Sequence, residues 1–370
     1  MQIGFLIKKI KTTFQRQGVL GIFTKSVRRL NSAWQRLFIN NSSNKKQWKQ
    51  LQNKFKGQRV FLIGNGPSLN KTSLYLLKDE YTICFNHFYL FEERLNWSPT
   101  FYCITDNLVL KDLLGKLASL IEKYKFNFFP DIHFRGENFK NQIKPNDNIY
   151  WLNQIFGQGF SEELPKVFPG GSVIYEGFQL LNYLGFNEIY FLGVDMNFKI
   201  HKTAKYLDKK FKSVDIISQK NDDPNHFDPR YFGKNKKYHQ PEEFVIDNIL
   251  LNLKFLSSIN EEIHADIYNV GLDSKVDFFK KKQLEDVLGL TEIQKHTLFS
   301  DLIKANSKFR SVDEFEKLNP RITEIESDLF NKSYFYTSIE TGLGLISKIV
   351  FTHLSLGPFN KNYYFIKRKI

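Results

Sequence analysis

Short apolar runs recur along the middle of the chain, and polar residues break them at intervals. Val60–Ile63 in "RVFLIGNG" is an apolar run that ends in a Gly-Asn-Gly turn, and comparable runs follow in "YTICFNHF", "PTFYCITDN", "KFNFFP", "NIYWLN", "EIYFLGVD" and "ADIYNVG". Each is too short for a helix and bounded by turn residues, which predicts buried strands. Between them lie stretches with helical spacing: "SLYLLK", "LVLKDLLGKLASLIEKY", and an amphipathic run over Val173–Leu184 that begins at Gly171-Ser172. Strands alternating with helices predict an α/β fold, a mostly parallel sheet with helices on both faces.

Polar residues stand where these strands end: Asn65, Asn86, Asp106, Asp195 and Asn269. An open parallel sheet binds its ligand in the crevice at the carboxyl ends of the strands, so the set predicts a site without depending on any one motif. At the first turn, Gly64 and Gly66 permit a tight bend and a close approach. Amides around Pro67–Leu69 can face an anion at the start of the next helix. Asn65 can donate and accept, which suits a nucleobase, ribose or phosphate edge; an Asx-type turn with no ligand accounts for the same residues. The pattern is neither G-x-G-x-x-G, since position 69 is Leu, nor a Walker A loop. In "PGGSVIYEG", Gly170 and Gly171 precede Ser172 at a helix start, which fits an anion or base-edge site and equally an ordinary N-cap. Asp195, closing "FLGVD", fits a sugar hydroxyl contact or a loop-ordering carboxylate.

The segment "NDDPNHFDPRYFGKNKKYHQPEEF" (Asn221 to Phe244) reads as a long connection without structure of its own. Tyr231, Phe232 and Tyr238 argue against disorder. Its two histidines, His226 and His239, are candidate general bases for a hydroxyl nucleophile, with a surface histidine as the alternative for each.

Charge changes the picture at the N-terminus. The chain has 53 Lys and Arg against 39 Asp and Glu, and fourteen of the basic residues but none of the acidic ones lie in residues 1–60. That segment carries the whole excess of +14, so charge says nothing about the main domain's substrate. Ile3, Leu6, Ile7, Ile10 and Phe14, then Val19, Ile22, Phe23, Val27, Leu30, Trp34, Leu37 and Phe38, repeat at helical spacing. Three readings fit: a basic amphipathic helix on an anionic membrane surface through residues 1–50, a helical pair packed on the main domain, or a nucleic-acid arm. The first is the expectation adopted, with no nucleic-acid partner. Lys8 and Lys9 interrupt any signal-peptide core, and no uncharged run is long enough to span a bilayer. "NNSSNKKQ" (Asn40 to Gln47) reads as a hinge. Cys84 and Cys103 lie inside apolar runs, which predicts free thiols and a reducing cytoplasm. No Asp-x-Asp and no metal-ligand spacing of Cys or His occurs. The C-terminal part reads as helices, with a capping box at Ser311 and Glu314 and a basic aromatic end. The expected organisation is a basic helical segment over 1–56, the catalytic domain over 57–275, and a helical segment over 276–370.

"FLIGNGPSL", "CFNHFYL", "GGSVIYEGFQLLNYLGFNEIYFLGVDM", "HFDPRYFGKNKKYHQP" and "IYNVGLDS" together resemble the bacterial sialyltransferases of glycosyltransferase family 42. They also resemble the wider set of surface-glycan and flagellin-glycosylating proteins that share a Rossmann-like core. Hydroxymethylpterin diphosphokinase-like proteins are a more distant branch of it. The likeness covers roughly residues 58 to 275. It implies transfer of a sialic-acid-type (nonulosonic) sugar from a cytidine monophosphate (CMP) sugar donor, with inversion, to a hydroxyl of a surface glycan or glycolipid such as lipopolysaccharide or capsule. No metal and no further cofactor is implied. With the basic N-terminal segment and the two free cysteines, the expected location is cytoplasmic, peripheral on the inner face of the cytoplasmic membrane, and a homo-oligomer is compatible with it. By resemblance, Asn65 and Gly66 line the nucleotide site, and Asn86 contacts cytidine or its ribose. Asp106 stands where the family has a donor-facing Asn. Gly171 and Ser172 hold the cytosine side, Gly193 and Asp195 the ribose or cytosine edge, and Ser274 lies in a second nucleotide-proximal turn. His239 matches the general base best, with an insertion before it, and His226 is the runner-up. Where the family has a phosphate-contacting Tyr this chain has Asn197, with Lys199, Lys202 or Tyr206 as substitutes. A diphosphokinase-like phosphotransferase and a non-catalytic glycan-assembly protein remain as alternatives.

Overall fold

The computed structural model describes residues 42–291, with interruptions at 93–94, 96, 134–136, 156, 158, 200–202, 207–214, 240–242, 260–262 and 273, together with nine isolated positions between 10 and 30. The helices expected beyond 291, including Ser311 and Glu314, lie outside the described residues, as does most of the N-terminal segment.

The strands are β1 (Arg59–Ile63), β2 (Tyr81–Phe85), β3 (Phe101–Cys103), β4 (Phe126–Pro130), β5 (Ile149–Gln154), β6 (Lys166–Val167), β7 (Glu188–Leu192), β8 (Lys205–Tyr206), β9 (Asp215–Ile217), β10 (Lys237–His239), β11 (Asp266–Asn269) and β12 (Lys280–Lys281). Besides a single α-helical turn at Tyr89–Glu92, the helices among the described residues are α1 (Ser42–Leu51), α2 (Asn107–Leu113), α3 (Leu117–Lys123), α4 (Val173–Leu184), α5 (Glu243–Ser258) and α6 (Leu284–Val287). All seven strands expected from the apolar runs are present. The long helical run after Asp106 is two helices, parted around Gly115, and "SLYLLK" is a single 3-10 turn over Leu74–Leu77.

Nine strands form one sheet in the order β12-β11-β7-β1-β2-β3-β4-β5-β6, and its pairings are parallel. The chain moves outward from β1 to β6 and then returns with β7 to the other side of β1. The topological switch therefore falls between β1 and β7, where a ligand crevice is expected.

Period-2 alternation sends each strand's residues to two cores. Val60, Leu62, Ile83, Phe85, Phe101 and Phe128 face α1, α4 and α5. Phe61, Ile63, Cys84, Tyr102 and Phe129 face α2, α3 and the 3-10 turns. Both cysteines are buried and free. The expected α/β fold, with helices on both faces, is the fold observed.

The hinge expected at Asn40–Gln47 is instead a helix from Ser42. Trp48, 1% exposed, is the reason: its indole donates to the Trp151 carbonyl at 3.0 Å, and Tyr183 donates to the Trp48 carbonyl at 3.0 Å. A polar, low-propensity stretch is held helical by an aromatic anchor that follows it, a tertiary override of local preference.

Candidate functional site

At the switch, the tips of β1 and β7 close on each other. The amide of Gly64 donates to Leu192 at 2.8 Å and that of Gly66 to Gly193 at 2.7 Å. A Cβ on Gly64 would lie 2.3 Å from the Gly193 carbonyl oxygen, and one on Gly66 would lie 2.4 Å from the Asp195 carboxylate carbon. The glycines thus serve the approach of two strand tips. Asp195 accepts from the Ser68 amide at 2.8 Å and from the Ser68 hydroxyl. The anion faced by this turn's amides is the chain's own carboxylate, and of the two roles read for Asp195 the geometry shows loop ordering.

Other polar residues at strand ends are committed in the same way. Asp106 caps α2, accepting from the amides of Leu108 and Val109 at 2.8 and 3.0 Å. Ser172 caps α4 through the Ile174 amide at 3.3 Å, after Gly171 at φ +86°. Ser274 donates to the Val194 carbonyl at 2.6 Å and ties the β11–β12 connection to the tip of β7. Glu176, in the first turn of α4, is fully buried and accepts from the Thr105 hydroxyl and from Gln154 Nε2, the latter at 2.7 Å. Burial pushes its pKa up to about 8, so it is a neutral acid at pH 7. Sequence reading missed it; the available signal was one carboxylate inside the apolar run of α4.

The tips of β1 and β2 differ. Asn65 donates to the Phe85 carbonyl at 3.1 Å and to the Tyr231 hydroxyl at 3.2 Å, and its Oδ1 is buried with no partner. Asn86 sits in the left-handed region at φ +55°, accepts from the Tyr102 hydroxyl through its carbonyl, and also has a buried, unpartnered Oδ1. His87 is wholly buried and its Nε2 meets Asp112 Oδ2 at 2.9 Å. Burial holds its pKa down at about 4, so the ring is neutral. With the Nε2 proton given to Asp112, the buried and unpartnered Nδ1 is an acceptor. Among the described residues, three buried acceptors without donors stand at two adjacent strand tips.

The connection after β9 folds over these tips. Phe227 donates from its amide to the Asn65 carbonyl at 3.0 Å, and Asn70 donates to the Phe227 carbonyl at 2.8 Å. The His226 ring stacks on Tyr231 with centroids 3.7 Å apart, and Tyr231 packs edge-on against His87 at 4.8 Å. Lys236 reaches Asp112 Oδ2 at 3.1 Å, the oxygen that also meets His87. The expectation of a connection without structure is corrected. Its end is β10, in a three-stranded antiparallel sheet ordered β10-β9-β8, and its start is a run of side-chain-to-backbone turns. Asp and Asn bonds to nearby amides organise it, and these leave no hydrophobic period to read.

Within this segment Asp223 is buried and its Oδ2 meets His226 Nδ1 at 2.8 Å while accepting the Phe232 amide at 3.0 Å. A carboxylate on Nδ1 selects the tautomer whose Nε2 is free of a proton, the form a general base needs. His226 is partly exposed, with 17% of its side chain accessible. His239 lies in β10, paired with Asp215; of its side chain nothing is described. Asn225 grips Lys199 through the amide at 2.6 Å and the carbonyl at 2.7 Å, which fixes this exposed lysine's backbone beside the His226 turn. Asn197 is half-buried, while Lys202 and the side chain of Tyr206 lie outside the described residues.

The family model of 6-hydroxymethylpterin diphosphokinase MptE-like proteins matches residues 35–201. Among solved structures, the chain is similar to the MAf glycosyltransferase from Magnetospirillum magneticum AMB-1, at 12% identity and a TM-score of 0.36, over 78% of this chain and 52% of that one. The chain thus spans about half the length of that relative. It is also similar to the sialyltransferase CstII from Campylobacter jejuni. In complex with the substrate analogue CMP-3FNeuAc the values are 13% identity, TM-score 0.34, and 60% and 86% coverage. In complex with cytidine-5'-monophosphate they are 17%, 0.35, and 71% and 98%. No curated protein sequence matches. The likenesses are thus to an MptE-like family model over residues 35–201 and, distantly, to a glycosyltransferase and a sialyltransferase of known structure.

Proposed function

We propose that the chain is an inverting, metal-independent glycosyltransferase that moves a nonulosonic sugar from a CMP-sugar to a hydroxyl of a surface glycan. One observation carries the reading: a carboxylate-held histidine, Asp223–His226, stands over two strand tips whose buried acceptors lack donors. The amino group of cytosine and the hydroxyls of ribose are donors of the kind Asn65, Asn86 and His87 lack. The acceptor hydroxyl oxygen bonds to the anomeric carbon as the bond from that carbon to the phosphate oxygen breaks. CMP departs with the electron pair, and the hydroxyl proton passes to Nε2 of His226. Asp223 then stabilises the imidazolium. Lys199, exposed and anchored by Asn225, is the cation proposed for the leaving phosphate in place of the missing tyrosine. His226 thus replaces His239 as the preferred base, because it has an orienting carboxylate.

A diphosphokinase-like phosphotransferase is the second reading, favoured by the family match over residues 35–201. Calorimetric titration of CMP and of adenosine triphosphate with magnesium, each repeated in chelator, separates them. The transferase reading expects CMP binding that survives chelation. Binding of magnesium–adenosine triphosphate with none of CMP overturns it.

A further inference from the structure

Ten large apolar side chains are exposed among the described residues, and six of them lie between positions 10 and 30. Ile10, Phe14, Val19, Phe23, Val27 and Leu30 are 45% to 71% exposed, and all six are helical. The other four, Tyr81, Leu251, Phe255 and Leu272, are scattered and 37% to 43% exposed. At about 100° per residue, Val19, Phe23, Val27 and Leu30 fall within an arc of about 80°. Leaving such a stripe in water costs about 25 cal/mol per Å² of apolar surface, so a partner that covers it gains that energy.

Charge selects the partner. Residues 1–60 hold fourteen Lys and Arg and no acidic residue, with Lys11, Arg16, Lys25, Arg28 and Arg29 interleaved with the stripe. A second copy of the segment would bring like charges together. A nucleic acid would take the basic face and leave the apolar one wet. An anionic bilayer takes both, with the apolar side at the acyl boundary and the basic residues among the headgroups. No helix among the described residues is long and apolar enough to cross a membrane. We propose that the exposed apolar stripe at Val19, Phe23, Val27 and Leu30, with the basic residues of the segment, is a docking surface for an anionic lipid bilayer. The segment precedes α1, which Trp48 locks into the core.

The test is co-sedimentation of the full-length protein with vesicles of phosphatidylcholine alone and of phosphatidylcholine mixed with phosphatidylglycerol. The wild type is expected to partition onto the anionic vesicles. A Val19→Asp/Phe23→Asp/Leu30→Asp variant and a Lys11→Gln/Lys25→Gln/Arg28→Gln variant are each expected to lose about 100-fold in partitioning. Both are expected to keep the wild-type melting temperature and CMP affinity, so failure of the transferase reading is scored separately. Absence of wild-type binding to anionic vesicles overturns the proposal. So does full binding by the aspartate variant, which would mark plain charge attraction. A wild-type dimer dissolved by the aspartate substitutions, or a nucleic acid that competes only through the stripe, would assign the surface to that partner instead.

Discussion

The carboxyl ends of β3, β5 and β7 and those of β1 and β2 carry the same kinds of polar residue and use them differently. At β7, Asp195 is taken up by Ser68; after β3, Asp106 is taken up by the first amides of α2; at β5, Gln154 serves Glu176. At β1 and β2, the Oδ1 atoms of Asn65 and Asn86 and Nδ1 of His87 are buried and unpartnered. A buried acceptor without a donor costs about 1–3 kcal/mol. On the proposed reading, the difference separates residues that build the site from residues that meet the ligand, although both stand at strand ends and look alike in sequence.

The largest expected effect falls on the segment that covers the β1 and β2 tips. His226→Ala should lower transfer by about 10²- to 10⁴-fold with CMP affinity nearly unchanged, since the base meets the acceptor and not the donor. Asp223→Asn should follow in the same direction through the tautomer of His226, while His239→Ala should be mild. Steady-state transfer with a CMP-sugar, set beside calorimetric CMP binding, reads both quantities. A reversed order of the two histidines would return the base to His239. No effect from either would take the chemistry off this segment.

What could be read in advance divides along the same line. The seven strands, the Val173–Leu184 helix and its Ser172 cap were legible because period-2 and period-3.6 patterns and a capping residue are local signals. That Asn65, Asn86, Asp106 and Asp195 stand just beyond strand ends was legible for the same reason. Which of them are satisfied was not, because the partner of Asp195 is 127 positions away and that of Asn65 Nδ2 on Tyr231 is 166. The Asp223–His226 pair was within reach of sequence as an i, i+3 spacing, but nothing local showed it folding over β1. The helix at Ser42–Leu51 was misread as a hinge because its cause, Trp48 on Trp151, is likewise distant.

Two buried titratable groups sharpen the comparison through pH. His87 has its pKa lowered from 6.5 to about 4, by burial first, against the pull of Asp112. Between these values the unfolded chain binds a proton that the folded one refuses, so stability falls as pH falls. Glu176 has its pKa raised from 4.5 to about 8, again by burial, so the folded chain keeps a proton that the unfolded one loses. Stability therefore falls as pH rises through that window. Each slope integrates to about 3–5 kcal/mol. In the wild type they oppose each other between about 4.5 and 6.5 and give a plateau there. His87→Gln should leave stability falling steadily from pH 4.5 to 8. Glu176→Gln should leave it rising to about 6.5 and flat above. Urea midpoints across pH measure this. Identical profiles for all three proteins would show that neither group is held neutral by its surroundings.

Next in size are the residues proposed to recognise the donor. Asn65→Ala and Asn86→Ala should each weaken CMP binding by about 5- to 150-fold, the loss of one hydrogen bond in a desolvated crevice. Thermal stability should fall as well, because Asn65→Ala breaks the Nδ2 bonds to Phe85 and Tyr231 and Asn86→Ala puts alanine at φ +55°. Affinity lost in variants that are still folded at the assay temperature is the signature of an acceptor that meets the ligand. A fall in melting temperature with unchanged affinity would place both residues with the builders of the crevice.

The smallest effect tests the other side of the comparison. Asp106 stands where the family resemblance implies a donor contact, yet its Oδ1 already accepts from two amides of α2. Loss of an N-cap costs about 1 kcal/mol, because the first amides of the helix are left to water. Asp106→Ala should therefore lower the urea midpoint by that amount, and Asp106→Asn or Asp106→Ser should restore most of it, since each can still cap. CMP affinity should stay within about twofold in all three, because the carboxylate is committed to the helix before any ligand arrives. If Asp106→Ala instead keeps its stability and loses CMP affinity as strongly as Asn65→Ala, the cap is dispensable. The division between satisfied and unsatisfied strand ends would then fail at β3, and the recognising part of the crevice would extend one strand further.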